Sequence, residues 1–396
     1  MAPSPTSPSL QDEATRWLAE KLPDMEASLA PMVEVNSFTD NVEGGRAVGA
    51  QLRSLFSIEG LSSRVVASTR YADHLVFASG EGGGGGAPEI ALVGHLDTVF
   101  PPGTFEGYRV DGDLRRGPGV LDMKGGLIVV AYALRAIAAV CGLARAPRLR
   151  VVIVADEEVG SPEGQAVIKQ AIEGARACLV FESGRKNDAI ITRRKGTGNV
   201  RVVAHGKAAH AGNAHAEGVN AIWALSRFVD HAQQLTDYER GTSVNVGKIF
   251  GGTSKNTVPE QAEAQLDLRF CTRVDAESLV AAVRRAAAEA ERDVPRSRLV
   301  VEGGIARLPL ERTEASAALM EAYAENARAV GLGAVEAGLI GGGSDASTSG
   351  GMGIASIDGL GPRGIGFHTK DEQIEVATLV TKAQALARFL LARPET

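Results

Sequence analysis

A chain of 396 residues is longer than one hydrophobic core ordinarily fills, so two domains are expected. Hydrophobic residues make up 44% and charged residues 23%, the balance of a globular protein with a sizeable interior, which excludes disorder as the default. The 42 basic and 48 acidic side chains give a formal charge of -6 with no long block of one sign, so nucleic acid and anionic membranes, which call for a basic face, are not expected partners.

Taken in chain order, the Pro- and Ser-rich opening from Met1 to Gln11 has neither a basic n-region nor an apolar h-region and reads as a loose end rather than a secretory signal. Gln11 to Leu29 and Gly44 to Phe56 carry apolar positions at helical spacing, and Ser63 to Ala67 and His74 to Ala78 read as short strands. The glycine run Gly82 to Gly86 reads as a floppy hairpin connection, because the Lys-Ser/Thr of a phosphate cradle does not follow it. Ile90 to Val93, Leu149 to Ala155, Cys178 to Phe181 and Ile354 to Ile357 are continuous apolar runs, as expected of strands covered on both faces. With the apolar helix Gly126 to Val140 between the first two, they predict an α/β domain built on an open, mostly parallel sheet with helices on both faces.

From about Gly196 the texture changes. Asn199 to Ala204 reads as a strand, Val219 to Leu235 as a helix, Ser243 to Phe250 and Glu263 to Cys271 as strands, Ala276 to Ala290 as a helix and Arg298 to Glu302 as a strand. The order β-α-β-β-α-β is the ferredoxin-like split motif, so residues 195–303 are expected to form an inserted α+β domain within a larger one made of 1–194 and 304–396. The most apolar stretch, Leu127 to Val140, contains Arg135 and is shorter than the roughly 18 residues of a spanning helix. Cys141, Cys178 and Cys271 are odd in number and widely spaced, which fits reduced core thiols, and a cytoplasmic setting is expected.

The chemistry-bearing residues follow the apolar runs, where open α/β sheets place their sites. His95 and Asp97 follow one strand, Asp156, Glu157 and Glu158 a second, Glu182 a third, and Asp122 opens the helix after Gly117-Pro118-Gly119. Alone, a His-x-Asp is ordinarily a satisfied pair, an Asp-Glu-Glu run a solvated face and a Gly-rich turn merely a turn. Grouped carboxylates, however, repel one another and resist desolvation, so such a cluster requires a strong cation. Imidazole with carboxylate suits zinc, with manganese or cobalt as alternatives.

Together, His95-Leu96-Asp97-Thr98-Val99, Gly117-Pro118-Gly119-Val120-Leu121-Asp122-Met123-Lys124-Gly125-Gly126, Asp156-Glu157-Glu158-Val159-Gly160-Ser161 and Phe181-Glu182-Ser183-Gly184 resemble, in order, the metal-binding motifs of the M20 metallopeptidases. Arg194-Lys195-Gly196-Thr197, Gly206-Lys207-Ala208-Ala209-His210-Ala211-Gly212, Gly341-Gly342-Gly343-Ser344-Asp345-Ala346 and Gly366-Phe367-His368 bring the resemblance to the carboxypeptidase G2-like, glutamate carboxypeptidase branch. The resemblance implies a zinc-exopeptidase-like catalytic domain and an inserted lid and dimerisation domain. It implies two zinc ions bridged by Asp122, with His95 and Glu182 on one, and Glu158 and His368 on the other. Asp97 would accept from the His95 ring, and Glu157 would be the general base toward a water bridging the two ions.

On the substrate side the resemblance gives His210 a role in steadying an oxyanion, against an ordinary lid histidine, and Asn256 a role toward the substrate or its oxyanion. His205 and His215 fall outside the matched position and read as surface residues. Arg307 lies where carboxypeptidase relatives hold the substrate α-carboxylate; its competitor is Arg269, which has the alternative of pairing within the lid sheet. Gly342, Gly343 and Ser344 allow close backbone approach to a carboxylate, with Ser344 acting as a helix N-cap as the plainer reading.

The function expected is metal-dependent hydrolysis of a C-terminal or N-acylated amino acid amide carrying a free carboxylate, of glutamate type, by a homodimer joined through the lid. An N-acyl-amino-acid deacylase or a dipeptidase is the rival within the superfamily. A non-catalytic binding module would lack a ligand or the base, whereas every expected position is filled, and the Gly-x-Ser-x-Gly elbow of a serine hydrolase does not occur.

Overall fold

A computed structural model describes residues 9–80 and 86–392. Most of the opening segment and of the glycine run therefore lies outside the described residues. The chain divides into two compact units, one of Met1–Thr192, Arg312–Gly338 and Ser344–Thr396, the other of Arg193–Glu311 and Leu339–Gly343.

The first unit is built on a six-stranded sheet in the order Leu61–Val66, His74–Ser79, Leu149–Val154, Ile90–His95, Ala177–Val180 and Ala355–Ile357. The last four pair in parallel and the first two join antiparallel, so the sheet is mostly parallel. Every residue of Ile90–His95 is buried, which is why Ile90 to Val93 are apolar without alternation. The helix Lys124–Val140 is apolar nearly all round for the same reason: it is wedged among Leu10–Ala19, Leu22–Glu34 and Ala377–Leu391.

Two features escape sequence periodicity. The helical stretch from Gln11 is two helices, Leu10–Ala19 and Leu22–Glu34, because Pro23 favours a new helix start at that point. A second sheet of strands two or three residues long, in the order Gly364–Ile365, Gln373–Glu375, Leu114–Arg116 and Arg109–Asp111, is too short-stranded for any alternation to register.

The second unit has the β-α-β-β-α-β order expected. Its antiparallel sheet runs Ser243–Gly251, Gln261–Phe270, Gly196–His205, Arg298–Arg307, with the helices Ala221–Gln233 and Arg273–Asp293 packed on it. A core of its own, from Val202 and Phe228 to Leu268 and Val283, marks it as a separate folding unit. Arg298–Arg307 pairs with Gly196–His205 as far as Arg307 opposite Thr197, with a register shift between Ile305 and Arg307, so the unit continues past residue 303. Among the described residues no helix is long and apolar enough to cross a membrane.

Candidate metal centre

Three parallel strands aligned side by side deliver their following residues to one edge of the sheet. His95 ends its strand, Glu157 and Glu158 lie in the short turn Glu157–Val159 after Leu149–Val154, and Glu182 follows Ala177–Val180. Asp122 joins them from the start of Lys124–Val140. That approach depends on glycine, since a Cβ on Gly126 would stand 2.1 Å from the carbonyl oxygen of Phe181.

His95 is 1% exposed, with Nε2 at 3.4 Å from Asp122 Oδ1 and 3.5 Å from Glu182 Oε1. The other Asp122 oxygen lies 3.5 Å from His368 Nε2, which in turn lies 3.1 Å from Glu158 Oε2. The result is two three-residue groups, His95-Asp122-Glu182 and Asp122-Glu158-His368, sharing Asp122, with the donor atoms in each within 4.8 Å of one another. His95 Nε2, Asp122 Oδ1 and Glu158 Oε1 are buried atoms without a hydrogen-bond partner among the described residues. Orphaned nitrogen and oxygen donors facing each other are what a divalent cation satisfies.

The electrostatics point the same way. Burial disfavours charge on His95, yet the Glu182 carboxylate and the neighbouring Asp122 and Asp97 carboxylates hold its pKa well above the ordinary range. Burial and the neighbouring Asp122 drive Glu158 well above the carboxylate range. Burial pushes Asp122 up as well, but His95, Glu182 and His368 outweigh it and hold the group at about 2. The cluster is short of positive charge, which a metal ion would supply.

Asp97 meets the His95 ring mainly through its main chain. The nearer acceptor for His95 Nδ1 is the backbone carbonyl of Asp97 at 3.0 Å, with the carboxylate oxygen Oδ1 at 3.4 Å. The carboxylate itself accepts the amides of Glu157 (3.1 Å) and Glu158 (3.2 Å) and the Thr39 hydroxyl (2.8 Å). Asp97 thus orders the turn that carries both glutamates. Asp156 caps the helix Gly164–Ala171 by accepting the amides of Glu163 (2.7 Å) and Gly164 (3.0 Å), a structural task.

Two buried ionisable residues beside the cluster were not singled out from the sequence. Lys124 is fully buried and donates to the carbonyls of Met32 (2.9 Å) and Val35 (3.2 Å) at the end of Leu22–Glu34, and burial pushes its pKa down to about 7. Glu372 is 1% exposed and accepts the amides of Leu121 (2.9 Å) and Asp122 (3.0 Å); burial, partly offset by these amides, pushes it up to about 7. Its setting among Thr369, Lys370 and Asp371 reads in sequence as a solvated loop, and only its distance from His368 offered a signal.

Within the second unit, His210 and Asn256 meet at the strand pair Ala209–His210 and Thr257–Val258, where the Asn256 carbonyl accepts the Ala211 amide at 3.0 Å. His210 Nδ1 accepts the amides of Gly212 and Asn213, both at 3.1 Å, which leaves Nε2 as the proton-bearing nitrogen of the neutral ring. His205 and His215 are exposed. Arg269 is held by Asp267 through two bonds of 2.7 and 2.9 Å within its own strand, with a third to the Gly341 carbonyl at 3.4 Å. Arg307 is 4% exposed, and a Cβ on Gly343 would stand 2.9 Å from its Cδ. The Gly342 carbonyl accepts from Arg194 at 3.2 Å.

Ser344 belongs to the first unit and is 1% exposed. Its hydroxyl donates to Asp358 at 2.5 Å and its oxygen also accepts the amide of Ala346 at 3.2 Å, so the Ser344 side chain serves the first turn of the short helix Ala346–Gly351, where Asp345 makes no side-chain cap bond.

Known proteins resemble this chain over most of its length. Residues 192–295 match the peptidase dimerisation domain of the M20 family. Carboxypeptidase G2 of Pseudomonas sp. (strain RS-16) is 27% identical over 382 residues, covering 94% of this chain and 90% of that protein. Acetylornithine deacetylase of Myxococcus xanthus is 31% identical over 260 residues, 61% of this chain and 66% of the relative. Among solved structures, the M20 family metallo-carboxypeptidase Sso-CP2 from Sulfolobus solfataricus superposes with a TM-score of 0.71 at 16% identity, over 93% of this chain and 98% of that one, which shows a shared fold.

Proposed function

Because this chain belongs to the M20 metallopeptidases, a metal-dependent family of hydrolases, we propose that it is a two-zinc amide hydrolase that releases an amino acid, of glutamate type, from a C-terminal or N-acyl position. The observation that carries the reading is the pair of three-residue groups sharing Asp122. His95, Asp122 and Glu182 would hold one ion, and Asp122, Glu158 and His368 the other; manganese or cobalt would suit the same donors. Such ions, when bound, lower the pKa of water and polarise a carbonyl oxygen.

Glu157 is the general base in this reading. Its turn is anchored by Asp97, and its carboxylate would take a proton from the attacking water and return it to the leaving amine. His210, with Nε2 as donor, would steady the developing oxyanion together with Asn256. Arg307 is our choice for the substrate carboxylate, because it lies where the carboxypeptidase resemblance places such an arginine; Arg269 makes two bonds to Asp267 in its own strand. Gly342 and Gly343 would give the carboxylate close access to the main chain. We assign the working form as a homodimer: Ile249 and Phe250, on the edge strand Ser243–Gly251, are 56% and 57% exposed. Light scattering that finds only monomer at working concentration would defeat that assignment.

The test is hydrolysis of N-acyl-glutamate, N-acyl-alanine and an unblocked dipeptide by metal-free protein with and without zinc. Zinc-dependent release from N-acyl-glutamate supports the carboxypeptidase reading. Turnover of the other substrates alone moves the assignment to a deacylase or dipeptidase, and inactivity with every metal rejects hydrolysis.

A further inference from the structure

The two halves of the candidate metal centre are held in unequal ways. His95 is fixed at the end of a central strand and 1% exposed. His368 stands on the turn between Gly364–Ile365 and Gln373–Glu375, its side chain 51% exposed and its backbone in the left-handed region at φ 61°. A ligand carried on an exposed turn needs a tie to the rest of the site, or its position wanders by more than a coordination bond tolerates.

Glu372 supplies such a tie at three points. Its amide donates to the Thr369 carbonyl at 3.2 Å, closing the turn next to His368. Its carbonyl accepts the Gly117 amide at 3.3 Å. Its Oε1 accepts the amides of Leu121 and Asp122, the second being the residue both three-residue groups share. The carboxylate is almost wholly enclosed, and Oε2 has no hydrogen-bond partner among the described residues. Burying a carboxyl beside other carboxylates is unfavourable, and an apolar side chain would fill the space at less cost. Its presence is explained if the amides it receives must be held in one orientation.

We propose that Glu372 is a positioning residue that couples the His368 turn to the Asp122 segment, and that it sets the affinity of the Asp122-Glu158-His368 position selectively over that of His95-Asp122-Glu182. The inference rests on the two-ion reading above. The hydrogen bonds require an acceptor at the position of Oε1 and no charge, so glutamine should serve, whereas alanine strands two buried amides and aspartate is one methylene too short to reach both.

The experiment is zinc titration by calorimetry of metal-free wild type, Glu372→Gln, Glu372→Ala and Glu372→Asp, with thermal melting of each metal-free protein as a check on folding. Wild type should take two ions. Glu372→Ala and Glu372→Asp should keep one at near wild-type affinity and bind the other about 10–100-fold more weakly, while Glu372→Gln stays close to wild type. Equal weakening of both ions, no weakening, or a Gln variant as impaired as Asp overturns the proposal. If Ala fails to fold, the Asp and Gln pair decides it alone. Wild type that binds no divalent cation overturns this inference and the functional reading together, whereas two ions in wild type with an unaltered Asp variant overturns the inference and leaves that reading standing.

Discussion

Asp97 Oδ1 accepts the backbone amide of Glu157 at 3.1 Å, so the carboxylate beside one candidate ligand holds the main chain of the candidate base. Its other oxygen holds Glu158 and Thr39. In Asp97→Asn one acceptor becomes an NH2 group facing an N–H donor, and the turn must shift. Displacements of about 1 Å cost on the order of 10²-fold in rate. We expect kcat to fall by about that factor with KM little changed, and steady-state kinetics on whichever substrate the panel identifies will check it.

Glu157→Gln separates proton transfer from metal retention. The variant should take up as much zinc as wild type, measured by atomic emission after dialysis, while kcat drops about 10²- to 10⁴-fold. A variant that keeps its turnover removes Glu157 from the role of base.

Gly126→Ala tests the close approach of helix and strand. The added Cβ meets backbone, the Phe181 carbonyl at 2.1 Å, so relief requires moving the segment that leads into Glu182. Overpacking of this sort costs about 1–3 kcal/mol, and both urea stability and zinc affinity should fall. Gly338→Ala, whose Cβ meets nothing within 4 Å, is the matched control and should be neutral in both assays.

Asp188 is 3% exposed and receives Lys382 at 3.4 Å and Arg363 at 3.1 Å. Burial raises its pKa, but Lys382, the Gly333 amide and Arg363 outweigh that and hold it below the ordinary 3.8. A depressed folded pKa means the stabilisation is present above the unfolded value and is lost as pH falls through the folded one. Asp188→Asn should therefore cost about 3–5 kcal/mol at pH 7, since it leaves the buried Lys382 ammonium without its carboxylate, while Arg363 keeps Glu375. The gap from wild type should narrow at the most acid pH at which both proteins still fold, and urea titrations across that range will read it.

Cys178 is fully buried, and burial pushes its thiol up to about 12. It should resist a disulfide reagent at pH 8 in the native protein and react only after unfolding, because both access and thiolate are lacking. Rapid native modification of Cys178, located by mass spectrometry, would contradict its placement.

The sheet strands, the buried helix and the inserted unit were legible because continuous apolar runs and the β-α-β-β-α-β order are local patterns. His95, Asp122, Glu158, Glu182 and His368 were legible through their motifs, each a short string next to a strand or helix. The small sheet of Gly364–Ile365, Gln373–Glu375, Leu114–Arg116 and Arg109–Asp111 was not, since strands of two or three residues leave no periodicity.

The sequence by itself therefore determined the main strands and helices of both units and the candidate donor set, because burial pattern and ligand chemistry are properties of residues and their near neighbours. Tertiary structure alone decided which contacts those residues make across long separations. It gave the Asp97 carboxylate to the glutamate turn, Lys124 to the end of Leu22–Glu34, Ser344 to Asp358, and Glu372 to the amides of Leu121 and Asp122. A buried polar atom takes whichever partner the fold brings within about 3 Å, and that partner is chosen by packing rather than by position in the chain.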